Sequence, residues 1–416
     1  MRLRRRLWSR EHQQPPRWGE EAGRGSRCSE TINHPPDPFL HWEGATWNIP
    51  RYADQQMTSD SQVSDAALQL HRRSLVVDTH IDTITHLMER HPDFGVRLEA
   101  GHVDIPRLRE GGVGAALFAI WLDDDVYDEP GSLKYVLKGI DLMRRTVDAH
   151  ADTLEIAYTG DDVERIYREG RIAVLLTVEG GNAICSDLAV LRELHRAGIR
   201  SITLTWQYAT PWCDSCNDEP HGGLTPLGSD IVRAMGQIGM LPDVSHISDR
   251  AFYDVLEAAE APVFASHSSC RSLQDAKRNM TDDMIVALGQ ADGVININFA
   301  SPFIGGPAHP PFVPMLKPER SRFRDQFERI HQPDDRPGAP MDRLLDHFDL
   351  AVKLAGAGHV GIGSDYDGVS SVPIGMDHIG RLPNLTRGLL QRGHDENTVT
   401  KMLGANNLKL FKQTLR

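Results

Sequence analysis

Short apolar runs recur along the chain. They open at Ser74-Leu75-Val76-Val77, inside the stretch Ser74–Asp82, and return at Gly114–Trp121, Ile172–Val178, Arg200–Trp206, Met240–Ser245, Pro262–Ser266, Gly293–Phe299 and His359–Ser364. Runs of this length and uniformity suit strands buried on both faces. Between most of them lie segments with helical spacing: Leu133–Asp148, Leu188–Ala197, Asp249–Ala259, Thr281–Gln290 and Met341–Ala355. A helical pattern from Ser64 (Ala67, Leu68, Leu70) leads into the first run. Repeated strand–helix alternation predicts parallel strands joined by crossover helices. Eight such units in about 300 residues predict an α/β fold, a (β/α)8 TIM-type barrel. A doubly wound open sheet is the alternative, but no Gly-x-Gly-x-x-Gly follows the first strand to support it.

Three stretches depart from this rhythm. Residues 1–56 have neither period; they hold nine Arg, no Lys and four of the seven Trp. Arg2, Arg4, Arg5 and Arg6 resemble the charged start of a signal peptide, yet no apolar core follows them. The segment reads as a disordered tail, as residues upstream of a true start at Met57, or as a basic arm. Residues 57–416 then form a single barrel domain. Ser301–Pro340 is long, polar and Pro-rich after the seventh strand, where a loop of a barrel can act as a lid over the catalytic face. The last part, Ile379–Phe411, reads as helices that finish the fold, with Asp395-Glu396-Asn397 as a helix start.

Composition narrows the function classes. A net charge of -13 argues against nucleic acid or an anionic membrane as partner. No apolar run reaches the roughly 18 residues of a membrane span, and the end Leu410–Arg416 carries no hydrophobic tail for a lipid anchor. Five cysteines, an odd and sparse set, favour a reducing compartment, here the cytoplasm. Cys213 and Cys216 make a lone Cys-x-x-Cys, read as two ordinary thiols in a loop. The oligomeric state is open, a homodimer included.

Barrel enzymes carry their chemistry at the C-terminal ends of the strands. Here the first strand ends in His80 and Asp82, the third in Glu179-Gly180-Gly181, the fifth in His246, the sixth in His267 and the eighth in Asp365. In an extended backbone, residues two apart share a face, so His80 and Asp82 can meet one ion. A single strand-end histidine is most simply a satisfied buried polar group. Three His, two Asp and one Glu at one barrel mouth are costly without cations. Imidazole and carboxylate without thiolate suit Zn²⁺, with Mn²⁺, Co²⁺ or Fe²⁺ as alternatives. Five groups exceed what one catalytic zinc takes from protein; two ions sharing one carboxylate use them all, and Glu179 is the natural bridge.

The blocks Asp78-Thr79-His80-Ile81-Asp82, Val178-Glu179-Gly180-Gly181, Asp243-Val244-Ser245-His246, Ser266-His267-Ser268-Ser269, Arg278-Asn279 and Gly363-Ser364-Asp365-Tyr366-Asp367-Gly368 resemble the signature blocks of the membrane (renal) dipeptidase family of zinc peptidases, within the amidohydrolase-type barrels. They occur in the family's order and span roughly residues 64 to 411. The resemblance implies a bacterial-type, soluble member acting on dipeptides. It implies that His80 and Asp82 bind one zinc, that His246 and His267 bind the second and that Glu179 bridges them. It also implies that a metal-bridging hydroxide attacks the peptide bond, Asp365 transfers the proton, and Arg278 holds the substrate's C-terminal carboxylate. Elementary chemistry agrees: a guanidinium fork binds a carboxylate bidentately, and a carboxylate can pass a proton to a leaving amine. One departure stands out. The family's substrate-contacting His, in a Thr-Leu-Thr-His context, falls at Trp206 in Thr203-Leu204-Thr205-Trp206. Indole donates one hydrogen bond and carries no proton, which puts the narrow dipeptide specificity in question. Two other readings remain: the same metal site acting on another amide, such as an N-acyl amino acid or a β-lactam, and a non-catalytic metal-dependent binder. Asp365 argues against the binder, which has no use for a proton shuttle.

Overall fold

The structure, a computed structural model, describes residues 65–90, 92–124, 127–305 and 338–416. The readings made of residues 1–56, of Met57 as a start and of most of the stretch 301–340 lie outside the described residues. Every expected run overlaps a strand: β1 (Val76–Ile81), β2 (Val113–Trp121), β4 (Ile172–Glu179), β5 (Ile199–Thr203), β6 (Leu241–Asp243), β7 (Phe264–Ser268), β8 (Val294–Ile297) and β9 (Val360–Ile362). One strand was not expected, β3 (Leu154–Ile156), too short and too exposed to form an apolar run. It pairs with the first half of β4, while β5 takes the second half.

All strand pairings are parallel, in the order β2-β1-β9-β8-β7-β6-β5-β4-β3. β2 also pairs with β4 along its length, from Ala115↔Ala173 to Trp121↔Glu179. That pairing closes an eight-stranded barrel and leaves β3 outside the ring. Helices follow the expected segments, for example Glu129–Ala149, Leu188–Arg196, Asp249–Ala258, Asp282–Gln290 and Met341–Ala355. Their starts are chemical: Thr159, Thr225, Ser248, Thr281 and Asp395 each accept a first-turn N–H as N-cap. Among the described residues no helix is long and apolar enough to cross a membrane.

Burial explains the unbroken apolar runs. Val77, Ala115, Leu117, Ala173 and Leu175 share one apolar cluster with Leu410 and Phe411 of the last helix. Their strand neighbours Val76, Ala116, Phe118, Val174 and Leu176 belong to the other. Both faces of each strand are therefore covered, and no polar alternation is needed. Two strands break their ladders at the C-terminal end. Between Asp78 and Ile81, β1 advances three residues while β2 advances two. Between Ala265 and Ser268, β7 does the same against β8. Each is a bulge with one extra residue, a device that re-aims side chains. His80 lies in the first bulge and His267 in the second.

Candidate metal centre

His80 and Asp82 leave the end of β1 fully buried. The main chain there is held by the segment after β9: Asp365 N–H donates to His80 O at 3.0 Å and Asp82 N–H to Tyr366 O at 2.9 Å. This pairing carries the barrel ladder beyond Ile362 and sets Asp365 beside His80. Asp365 does so in the left-handed region, φ 64°, as does His246 at 69°. Such backbone is uncommon for residues with a Cβ and marks positions where side-chain direction matters more than local ease. At Gly368 a methyl group would collide with the carboxylates of Asp82 and Asp365, so glycine is required for the close approach.

The expected ligands converge. Glu179 ends β4 with Oε2 at 3.4 Å from His80 Nε2 and Oε1 at 3.0 Å from His246 Nε2 and 3.4 Å from His267 Nε2. Asp82 Oδ2 lies 3.4 Å from His80 Nε2. The ring nitrogens of His246 and His267 approach to 2.9 Å. Three ligand sets emerge, each with donor atoms within 4.8 Å of one another: His80, Asp82 and Glu179; Glu179, His246 and His267; His80, His267 and Asp365. Glu179 thus offers one oxygen to each of two sets, the geometry of a bridging carboxylate. Two donors in this cluster, His80 Nε2 and Asp82 Oδ1, are buried without a hydrogen-bond partner. Orphaned lone pairs aimed into a buried group of imidazoles and carboxylates fit a divalent cation.

The electrostatics agree. Burial disfavours an imidazolium at His80, but the charges of Asp82 and Glu179 together outweigh it and hold the ring well above its ordinary pKa. Burial pushes Asp82 up to about 8 against the pull of His80, with Glu179 adding to the rise. Burial opposes ionisation of Glu179 too, yet His80 and hydrogen bonds from His246 and His267 bring it well below the usual carboxylate range. His246 and His267 are both lowered, by burial first, with the Arg278 charge adding to it in both and the His80 charge in His267. Neutral imidazoles beside a carboxylate are ligands ready for a cation, which competes with protons for such a cluster.

The sequence does not show what several supporting residues hold. Asp243, at the end of β6, accepts from Ser245 N at 3.0 Å, Ser266 N at 2.9 Å, Ser266 Oγ at 2.5 Å and Thr203 Oγ1 at 2.5 Å. Asn298, after β8, donates to Asp365 Oδ2 at 2.8 Å and has its own oxygen held by Ala300 N. Asp367 accepts from Thr83 Oγ1 at 2.7 Å and from His102 N at 2.5 Å, tying the loop after β9 to those after β1. Asp124 accepts from Asn182 Nδ2 and from the N–H groups of Gln207 and Tyr208, so it ties together three loops at the mouth. Asp243 and Asp367 stand inside the recognised blocks, but only contacts reveal what they hold.

Arg278 is buried, and its Nη2 lies 3.0 Å from His246 Nε2. Its Cζ sits 4.5 Å over the Phe303 ring, and its Nε and Nη1 have no partner. Burial lowers its pKa and the Asp365 charge works against that. The position of Trp206 differs from the expectation: β5 stops at Thr203, so Trp206 does not end a strand but lies in the following loop. His246 and Asp365 likewise stand past the ends of β6 and β9. Trp206 is half-buried and packs edge-on against Trp121, ring centroids 4.9 Å apart, with Trp121 level with Glu179 across β2 and β4. Cys213 and Cys216 are buried free thiols, pushed up by burial, Cys216 to about 11, and take no part in the cluster.

The family model described as membrane dipeptidase (peptidase family M19) matches residues 64–416. Dipeptidase tcpJ of Claviceps purpurea (strain 20.1) is 32% identical over 352 residues, covering 81% of this chain and 76% of that protein. Dipeptidase verJ of Clonostachys rogersoniana is 33% identical over 321 residues, 74% of this chain and 75% of that protein. A metallo peptidase from Rhodobacter sphaeroides, solved with a phosphinate mimic of the dipeptide L-Ala-D-Ala, has a TM-score of 0.70 at 22% identity and covers 82% of this chain and 99% of its own.

Proposed function

The chain belongs to the membrane dipeptidase family, peptidase family M19, and from that premise we propose that it cleaves dipeptides at a two-zinc centre built from His80, Asp82, Glu179, His246 and His267. It is a metallo-dipeptidase on a (β/α)8 barrel. The observation that carries the finer reading is the division of Glu179, one oxygen facing His80 and the other facing His246 and His267. The donor set, imidazole and carboxylate only, favours zinc. Bound ions of this kind activate water near neutral pH and polarise the scissile carbonyl.

The chain's own groups do the rest. Asp365, within 4.8 Å of the ligand atoms of His80 and His267 and oriented by Asn298, accepts the proton from the attacking water and passes it to the leaving amine. Arg278, whose Nη1 is unpaired at the outer edge of the guanidinium, offers that group to the substrate's α-carboxylate, while Phe303 backs the guanidinium plane. The Rhodobacter relative, which holds a dipeptide mimic, supports a dipeptide as the substrate class. The free thiols are in line with a reducing, cytoplasmic setting.

Arg278→Met tests the assignment. Hydrogen bonds to a charged group contribute about 1.5–3 kcal/mol each, so kcat/KM for free dipeptides falls by about 10²-fold. Dipeptide amides, already poor substrates, are affected far less. Equal losses for both substrate types would remove Arg278 as the clamp and favour another amide substrate. In this reading Trp206, packed edge-on against Trp121, offers the substrate a flat apolar wall with one N–H. Trp206→His shifts the ratios of kcat/KM across a dipeptide panel, by roughly tenfold or more for a change of one pocket contact, and leaves the metal content unchanged. An unaltered profile would make Trp206 a packing residue.

A further inference from the structure

We propose that Ser266 is a positioning residue shared by both halves of the metal centre, its single hydroxyl setting the ring nitrogens of His80 and His267 so that the two ion sites form together. The inference rests on the two-ion reading above.

Ser266 Oγ lies 2.5 Å from Asp243 Oδ2, 2.7 Å from His267 Nδ1 and, more loosely, 3.4 Å from His80 Nδ1. All four residues are buried. A hydroxyl has one proton and two lone pairs. Asp243 already accepts from Ser245 N, Ser266 N and Thr203 Oγ1, so it is an acceptor-only carboxylate and the Ser266 proton goes to it. The serine oxygen is then left only its lone pairs, which face the two rings and, at 3.4 Å, the Ser245 hydroxyl, so a ring that bonds to it presents Nδ1–H. A neutral imidazole protonated on Nδ1 keeps its lone pair on Nε2. In His267 that atom faces Glu179 Oε1, and in His80 it faces Asp82 and Glu179 Oε2. One hydroxyl therefore selects the ligating tautomer on both sides of the bridge.

The backbone of Ser266 makes the same connection. Its carbonyl accepts from Thr79 Oγ1 at 2.6 Å, joining the β7 bulge that carries His267 to the β1 bulge that carries His80. The two rings stack with centroids 3.7 Å apart and 30° between planes. A side chain at Gly363 would strike the Ser266 carbonyl, so glycine keeps this junction closed. Without the hydroxyl, Asp243 Oδ2 loses a donor and both rings lose the acceptor that holds their orientation.

The test is zinc binding. Metal-free protein is titrated with Zn²⁺ in competition with a chromophoric chelator. The wild type takes up two ions. Ser266→Ala raises both dissociation constants, each by about 10–100-fold, the usual cost of removing an outer partner of a metal-ligating histidine. Ser266→Thr, which keeps the hydroxyl, stays near the wild type. Wild-type affinity in Ser266→Ala overturns the proposal, and so does a loss confined to one ion. A wild type that binds a single ion overturns the two-ion premise instead, and the proposal with it. Long-range ¹⁵N–¹H spectra of the zinc-loaded wild type need no variant: protonated Nδ1 and ligating Nε2 are expected in both rings, and ligation through Nδ1 in either sinks the assignment.

Discussion

Asp365→Asn lowers kcat by about 10²–10⁴-fold, the range a general acid–base group contributes, while the metal content stays at the wild-type level. The substitution keeps the size of the side chain and keeps an oxygen for the Asn298 amide, whose bond to Asp365 is 2.8 Å. It removes the ability to take up and return a proton. KM changes little, since Arg278 and the ions, not Asp365, hold the substrate in this reading. Steady-state kinetics on one dipeptide with elemental analysis of the same sample is decisive. Turnover near that of the wild type removes Asp365 from the proton path. Because Asp365 also lies within 4.8 Å of the ligand atoms of His80 and His267, loss of an ion from the variant would reassign it as a ligand.

His246→Ala has the largest expected effect. His246 Nε2 stands 3.0 Å from Glu179 Oε1 and 2.9 Å from His267 Nε2, at the centre of the second ligand set. Its removal leaves that set with one imidazole and a shared carboxylate oxygen, too few donors for a tightly held ion. The metal content falls from two towards one per chain. kcat/KM drops by at least about 10³-fold, roughly 4 kcal/mol of transition-state stabilisation at about 1.4 kcal/mol per tenfold. Two ions retained at full occupancy in this variant would sink the bridged-site reading.

Most of the fold was legible because its physics is local. Strands buried on both faces read as largely apolar runs, and many helix starts use a side-chain acceptor, as Asp395 shows by accepting from Thr398 N. β3 escaped because Leu154–Ile156 is short and only partly buried. Thr205 and Trp206 extend the apolar run in sequence and predict a strand end at Trp206, yet the β5 ladder stops at Thr203, which pairs with Asp243 at the end of β6. Of the site, the candidate ligands His80, Asp82, Glu179, His246 and His267 could be picked out, since their side-chain chemistry is a property of the residue itself. The structure brings all five together. The roles of Asn298, Ser266 and Asp243 are not readable in the sequence, because a serine, an asparagine or an aspartate acquires meaning only from what it touches.

Residue types and their order were therefore determined by the sequence alone: which runs are strands, which side chains can hold a cation, and that they sit near strand ends. Where those side chains aim was decided by tertiary structure. Strict alternation along an extended strand is the simplest rule for placing His80 and Asp82 on one face, but β1 is bulged at that point, and β7 is bulged at His267. His246 and Asp365 turn inward through left-handed backbone. Closure of the barrel brings residue 80 beside residue 365, through hydrogen bonds that neither strand can make alone. The reason is one of range. Burial and capping act over a few neighbouring residues and leave a periodic trace, whereas a bulge, a left-handed residue or a shared hydroxyl is stable only when distant strands press it into place.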